Sequence, residues 1–298
     1  MNTYEKIWEE YLEDNYFPTN IRSIKTIEFS EFKELVFNDY GKTKELILSM
    51  LAGDIIILKN AISKSVVKEI KDGLYEYGNT TPESDYKTTK AIPNFHIKSK
   101  YRDTSKDRGT RGYKVVDGYD EVGHSYYFYR WNEDNLNIFS NIEELWNTVK
   151  VFNGLDINQY KKNLPEDKII DQIQAIHYTA NEGEITSHCD MSRWQKTNLT
   201  VSLTKKGEDF NVGGQYFLDK NENKVYSEDL IEVGDAPLFI ATTFHGVESP
   251  DYKGRWQLLA TAIQSQCVEN RTISHSLTNF KKNPKKIMES YKKNEFRV

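Results

Sequence analysis

Between Ile173 and Ile263 the chain is cut into short apolar runs by glycine, asparagine and aspartate, and this cadence constrains the fold more than any other feature. The runs are Ile173–Thr179, Glu184–His188, Thr197–Leu203, Gly213–Leu218, Val233–Ile240 and Gly254–Ile263. The runs are short, carry β-branched and aromatic residues, and are separated by turn formers such as Asn181-Glu182-Gly183. Short strands repeated in this way predict a sandwich or barrel. In Thr197–Leu203 the polar Asn198, Thr200 and Ser202 alternate with the apolar Leu199, Val201 and Leu203. Successive strand residues face opposite sides, so one face of this strand packs into a core and the other carries polar groups.

His188-Cys189-Asp190 closes the second run. If the strand continues through it, His188 and Asp190 share a face and Cys189 points away. His245 follows much later, with Arg255 beyond it. A lone His-X-Asp is common by chance in a chain of this size; a second histidine in the same strand series gives it weight. Two imidazoles and a carboxylate on one side of a metal leave the opposite positions open, the arrangement suited to non-haem Fe(II). Zinc accepts the same donors, so the residues alone leave open a zinc enzyme or a non-oxidative, cupin-like metal-binding protein. Arg255 favours the first reading. A planar guanidinium grips a carboxylate through two hydrogen bonds and stays charged when buried, and neither alternative needs such an anchor.

Taken in order, Tyr178, Gly183, His188, Asp190, Gly213-Gly214, Gly234-Asp235, His245-Gly246-Val247 and Arg255 resemble the core of the Fe(II)/2-oxoglutarate-dependent dioxygenases, nearest to the prolyl-4-hydroxylase-like branch. The resemblance covers about a third of the chain. It implies a mostly β fold with flanking helices around a double-stranded β-helix, the jelly roll shared with cupins. It also implies that His188, Asp190 and His245 hold Fe(II), and that Arg255 pairs with the distal carboxylate of 2-oxoglutarate. Tyr178 and one of Asn198, Thr200 and Ser202 would touch the same cosubstrate. Arg255 is followed by Trp256 and Gln257, so the Arg-X-Ser signature of some relatives is missing and the second carboxylate contact is left open. The carboxylate of Asp190 implies oxygen transfer, by hydroxylation or an oxidative variant, because related halogenases carry a small residue there. Dioxygen and 2-oxoglutarate would be consumed, with succinate and carbon dioxide released.

With 298 residues and 38% hydrophobic content, the chain can bury one sizeable core. Residues 1–298 are expected to form a single domain: 1–78 helical framing and a first strand, 79–135 a substrate-covering insertion, 170–265 the metal and cosubstrate core, and 266–298 a C-terminal extension. Helical periodicity appears in Tyr4, Ile7, Trp8, Tyr11 and Leu12, from Glu31 to Leu51 with a break near Gly41, and from Val66 to Leu74 with an end near Gly78. Asp54–Leu58 reads as a buried strand, and Ser140-Asn-Ile-Glu143 as a capping box opening a further helix.

A net charge of −5 and a pI near 5.8 give no general footprint for nucleic acid. No apolar run approaches a membrane span, and the first residues lack a signal segment. Two cysteines, Cys189 and Cys267, fit a reduced compartment, so a cytoplasmic protein is expected. Residues 79–123 read as a long irregular excursion, basic from Lys87 to Lys114, either a solvated loop or a lid steering an anionic substrate. After it, Ser125–Asp134 is an aromatic cluster that suits a core strand, or a pocket wall in which Tyr127, Tyr129 and Arg130 meet substrate. Arg193 and Trp194, just past the metal motif, are further substrate candidates. The substrate expected is a small metabolite such as an amino acid or natural-product intermediate, with a peptidyl residue as the alternative.

Overall fold

The computed structural model describes residues 4–13, 17–81, 83, 95–103, 119–130, 134, 136–161, 169–190 and 196–264. The first half supplies most of the helices, in the order α1 (Glu5–Glu13), β1 (Ser23–Glu28), α2 (Phe29–Asn38), α3 (Tyr40–Leu51), β2 (Asp54–Lys59) and α4 (Lys64–Thr80). A hairpin pair, β3 (Phe95–Asp103) and β4 (Tyr119–Tyr129), precedes α5 (Ile138–Phe152). The strand series then runs β5 (Ile169–Tyr178), β6 (Glu184–His188), β7 (Thr197–Ser202), β8 (Gly214–Leu218), β9 (Lys224–Tyr226), β10 (Ala236–Ile240), β11 (His245–Glu248) and β12 (Arg255–Gln264).

Local chemistry explains the helix ends. The Asp39 side chain accepts from Lys42 N at 3.0 Å, starting α3 and setting the break between α2 and α3 just ahead of Gly41. The Ser63 hydroxyl does the same for α4. Helix α5 differs from expectation. It opens at Ile138, and the Asp134 carboxylate, not a Ser140/Glu143 box, accepts from Ile138 N at 2.7 Å and Ser140 N at 2.9 Å. A carboxylate ahead of the first turn meets several free N–H groups at once, and Ser140 already lies inside the helix.

The strands form one curled sheet in the order β1-β2-β10-β7-β12-β5-β4-β6-β11-β8-β9, with β3 paired to β4. Strand β4 joins its two halves, pairing with β5 through residues 124–129 and with β6 at Glu121 and Val122. The result is the double-stranded β-helix, with one long and one short wall facing each other. All five helices contribute to the large apolar core that covers the outer face of the long wall, where Trp256, Leu258, Ala260, Leu199 and Val201 are buried. Residues of opposite parity look into the barrel, among them Arg255, Gln257, Tyr178 and Asn198. The excursion over 79–123 is therefore not irregular throughout. Helix α4 runs on to Thr80, and β3 lies in a nine-residue ladder against β4. The sequence hides this because hairpin pairing is long-range and its polar strands carry no strong alternation.

Two buried polar clusters tie the layers together. On the outer face of β5, Asp171 and Lys150 form a fully buried ion pair at 2.5 Å. Lys150 Nζ also donates to Gln159 O at 2.6 Å. Between α4 and the hairpin runs a chain of imidazoles: His96 Nδ1 to His124 Nε2 at 2.9 Å, His96 Nε2 to Thr81 O at 3.0 Å, and His124 Nδ1 to Tyr126 Oη at 3.1 Å. A carbonyl only accepts, so with both rings neutral the protons run one way: Tyr126 donates to His124, His124 to His96, and His96 to Thr81.

Burial, reinforced by repulsion from His96, pushes His124 down to about 3. Once unfolded, a histidine titrates near 6.5, roughly its free value. The unfolded chain therefore takes up the extra proton first, so this contribution to stability is complete above that value and declines as pH falls toward 3. Melting midpoints should drop on acidification, and His124→Gln should soften the drop. Carboxylates held low, such as Glu143 at about 2, add to the acid slope. The difference between the two proteins isolates the histidine, and equal slopes would contradict this account.

Candidate active site

Strand β6 ends at His188, and Asp190 lies just past it, so strict alternation is not what aligns the two ligands. Asp190 is held instead from the opposite wall, its N donating to Ala241 O at 2.8 Å and its Oδ2 accepting from Asn198 Nδ2 at 2.6 Å. His245 opens β11 and is the register partner of His188, with a bulge before Val247 pairs with Ile185. A bulge re-aims side chains, and here it sets the two rings together with centroids 4.4 Å apart. Gly246 permits the approach: a Cβ there would lie 2.6 Å from Tyr216 Oη and 2.7 Å from Ile185 O.

Asp190 stands 3.4 Å from His245 Nε2 and 4.0 Å from His188 Nε2, and three donor atoms of the triad lie within 4.8 Å of one another. Each ring has its Nδ1 against a backbone carbonyl two residues back, His188 to Thr186 O at 2.9 Å and His245 to Thr243 O at 2.8 Å. Those contacts place the ring proton on Nδ1 and turn both Nε2 lone pairs toward the carboxylate. The donor set fits a divalent metal. His188 and His245 are buried, while the Asp190 side chain is 28% exposed.

Deeper in the barrel, Arg255 is the register partner of Tyr178, and both are buried at 1% exposure. The guanidinium is already engaged: Nε donates to Glu228 Oε1 at 2.6 Å and Nη1 donates to Gln257 Oε1. Glu228, in a single 3-10 turn (Glu228–Leu230), also accepts from Gln215 N at 2.7 Å. Gly214, at φ +100°, makes room, since a Cβ there would lie 2.5 Å from Glu228 Cγ. Nothing in the sequence marked Glu228, whose contact spans 27 positions. With the side of the guanidinium held, its far edge is left for a ligand carboxylate. If Arg255 pairs with the distal carboxylate of 2-oxoglutarate, as the resemblance implies, Glu228→Gln, which keeps a hydrogen bond yet removes the negative charge, should tighten 2-oxoglutarate binding severalfold. Glu228→Ala releases Arg255 and should weaken it. Titration of metal-loaded protein checks both, and equal affinity across all three proteins would show that Glu228 does not act on this site.

The other candidates divide. Thr200 faces the barrel with its buried Oγ1 lacking a partner among the described residues, whereas Ser202 Oγ donates to Thr204 O at 2.7 Å. Asn198 faces the same way but is bound to Asp190, so it acts on the metal ligand. Tyr127 and Tyr129 face inward as register partners of Gln174 and Gln172. Arg130 does not. Its guanidinium pairs with Glu143 at 2.7 Å and stacks over Phe139 at 4.4 Å, under α5 on the helix-covered face, which removes it from the substrate candidates. Tyr126 and Phe128 take the outer face of the same strand, as a core strand requires. His177 is stacked on Trp256 at 4.3 Å, also outside the barrel. Lys98 of the basic stretch pairs with Glu83 at 2.8 Å. Lys100 and Arg102 of the same stretch lie in β3 opposite Val122 and Asp120. Arg193, Trp194, Cys267, the remaining basic residues Lys87, Lys90, Lys106, Arg108, Arg111 and Lys114, and the C-terminal extension lie outside the described residues.

No family model matches the chain, and no curated protein sequence matches it. Solved structures do. A full-length Neurospora crassa protein in complex with alpha-KG superposes with a TM-score of 0.50 over 86% of this chain and 96% of that one, at 14% identity. The chain shares that fold. A Trichoplax adhaerens prolyl hydroxylase in complex with a hypoxia inducible factor peptide fragment matches at TM-score 0.44 and 14% identity, over 83% of this chain and 95% of its own. A Pseudomonas putida prolyl-4-hydroxylase matches at TM-score 0.42 and 9% identity, over 69% and 90%. At 14% identity the likeness to the Neurospora crassa protein speaks for the fold alone, and the chemistry rests on the residues above.

Proposed function

We propose that the chain is a non-haem Fe(II)/2-oxoglutarate-dependent oxygenase that hydroxylates a small metabolite. The observation that carries this is the pairing of two sites in one barrel: a His188/Asp190/His245 triad near the mouth and a buried, preset Arg255 at depth. A structural or hydrolytic zinc site has no use for the second.

His188, Asp190 and His245 would hold the iron, which when bound supplies the dioxygen chemistry that couples conversion of 2-oxoglutarate to succinate and carbon dioxide with oxidation of a C–H bond. The rest falls to the chain. Thr186 O and Thr243 O fix the ring protons of the two histidines, and Asn198 fixes the carboxylate. Arg255, steadied by Glu228 and Gln257, binds the distal carboxylate of 2-oxoglutarate, with Tyr178 beside it and Thr200 offering a hydroxyl that has no partner among the described residues. Tyr127 and Tyr129 lie on the face that meets substrate. Among the described residues no helix is long and apolar enough to cross a membrane. A cytoplasmic setting, where ferrous iron persists, belongs to the same reading. Purified protein given Fe(II), 2-oxoglutarate and oxygen should form succinate, and zinc in place of iron should stop it. Succinate that survives the exchange, or a protein that binds no 2-oxoglutarate when loaded with metal, overturns the proposal.

A further inference from the structure

The long wall of the barrel carries a polar surface that starts at Thr200, beside the proposed cosubstrate site, and runs on across the sheet away from the triad and Arg255. Tyr127, Gln174, Leu259 and Thr200 form one row across β4, β5, β12 and β7, each the register partner of the next. Gln172 and Thr261 are partners in the adjoining row. Paired strands lie about 4.8 Å apart, so Gln174 stands roughly 10 Å across the sheet from Thr200. Thr200 is the same-face neighbour of Asn198, which holds Asp190. A small molecule reaching away from the triad along the sheet meets this row.

The row is open on the inside only. Tyr127, Gln174, Leu259 and Thr261 are partly exposed and Gln172 and Thr200 are buried at 6% and 4%, while the chain neighbours Phe128, Ala175 and Ala260 are buried in the helix-covered core. It is also preset. Gln174 Nε2 donates to Ser125 Oγ at 3.2 Å and to Tyr127 Oη at 3.0 Å, so both amide hydrogens are committed and Oε1 remains to accept. Thr261 Oγ1 donates to Gln172 Oε1 at 3.4 Å, which leaves the amide N–H groups of Gln172 to donate. The row holds no charged side chain, so an ion placed against it would lose water and gain no counter-charge. Thr200 Oγ1, buried and without a partner among the described residues, adds a polar group at the end nearest the triad.

We infer that this row recognises the substrate, and that the substrate is a neutral molecule with an amide-like edge, a carboxamide, lactam or imide, whose N–H meets Gln174 and whose C=O meets Gln172. This keeps the expectation of a small metabolite and sets aside the anionic alternative that the basic stretch raised, and it rests on the oxygenase reading only for placing substrate near the triad.

Zinc-loaded protein with 2-oxoglutarate is inert to oxygen and diamagnetic, so ligand-observed NMR reads binding without turnover. The probes are glutarimide, benzamide and nicotinamide, set against benzoate and nicotinate. The neutral probes should bind about tenfold more tightly than the carboxylates, the factor expected from one well-made hydrogen bond. Gln174→Leu and, separately, Gln172→Leu should remove that preference, with melting temperature confirming that each variant is folded. Equal or stronger binding of the carboxylates, a preference unchanged in both folded variants, or no binding by any neutral probe at millimolar concentration overturns the inference. The outcome is independent of the succinate assay. Absence of succinate with the neutral preference intact would sink the oxygenase reading and leave the wall standing.

Discussion

His245→Ala is expected to abolish metal-dependent turnover and to weaken metal binding beyond the roughly 10- to 100-fold that loss of an outer partner costs. The reason is the donor arithmetic of the triad. His245 Nε2 is one of three ligand atoms, and its ring is already turned inward by the contact of Nδ1 with Thr243 O. Removing it leaves one imidazole and one carboxylate, too few to hold a metal and orient further ligands. The ring also packs against Phe239 at 4.7 Å, so a small loss of stability will accompany the substitution. Asn198→Ala separates the two effects. It leaves all three ligands and loosens only the Asp190 carboxylate, which accepts from Asn198 at 2.6 Å. Its metal affinity should fall into the roughly 10- to 100-fold range and no further. Zinc titration of the wild-type and both variant proteins gives the ranking directly. A His245→Ala protein that binds metal as well as the wild type would remove the triad from any account of this chain.

Lys150→Ala should cost about 3–5 kcal/mol of stability, the usual consequence of leaving a buried charge without its partner. Both members of the Lys150–Asp171 pair have fully buried side chains. Burial pushes Lys150 down and Asp171 up, and their mutual attraction opposes both shifts. Once the lysine is gone, Arg130 Nε at 3.7 Å is too distant and too committed to Glu143 to replace it. Denaturant titration measures the loss. The double replacement Lys150→Met with Asp171→Leu should recover most of it, because an apolar pair of similar size carries no desolvation cost. If the single variant matches the wild type, the pair contributes nothing and the layers are held by apolar packing alone.

Much of the site was legible in the sequence because its signals are local. The turn at Asn181–Gly183, the alternation of Asn198, Thr200 and Ser202, and the spacing of His245 and Arg255 each depend on a few neighbouring residues, and the structure places all of them on one barrel. Other features were illegible for the opposite reason. The side-on clamp of Glu228 on Arg255, the grip of Asn198 on Asp190 and the Lys150–Asp171 pair join residues that nothing in the chain marks as partners. Arg130 shows the cost of reading composition without parity: embedded among aromatics, it suggested a pocket, yet its position just past β4 turns it under α5.

By itself, then, the sequence determined the kind of wall, the candidate metal donors and the arginine proposed to anchor a carboxylate, because strand periodicity and ligand chemistry are properties of residue type and spacing. Only the tertiary structure decided how Asp190 is aimed, which side of the Arg255 guanidinium is taken up within the chain, and that uncharged Gln172 and Gln174 share the inner face of the long wall with Asn198 and Thr200. Those depend on sheet register, and register is set by long-range pairing and core packing rather than by any local stretch of chain.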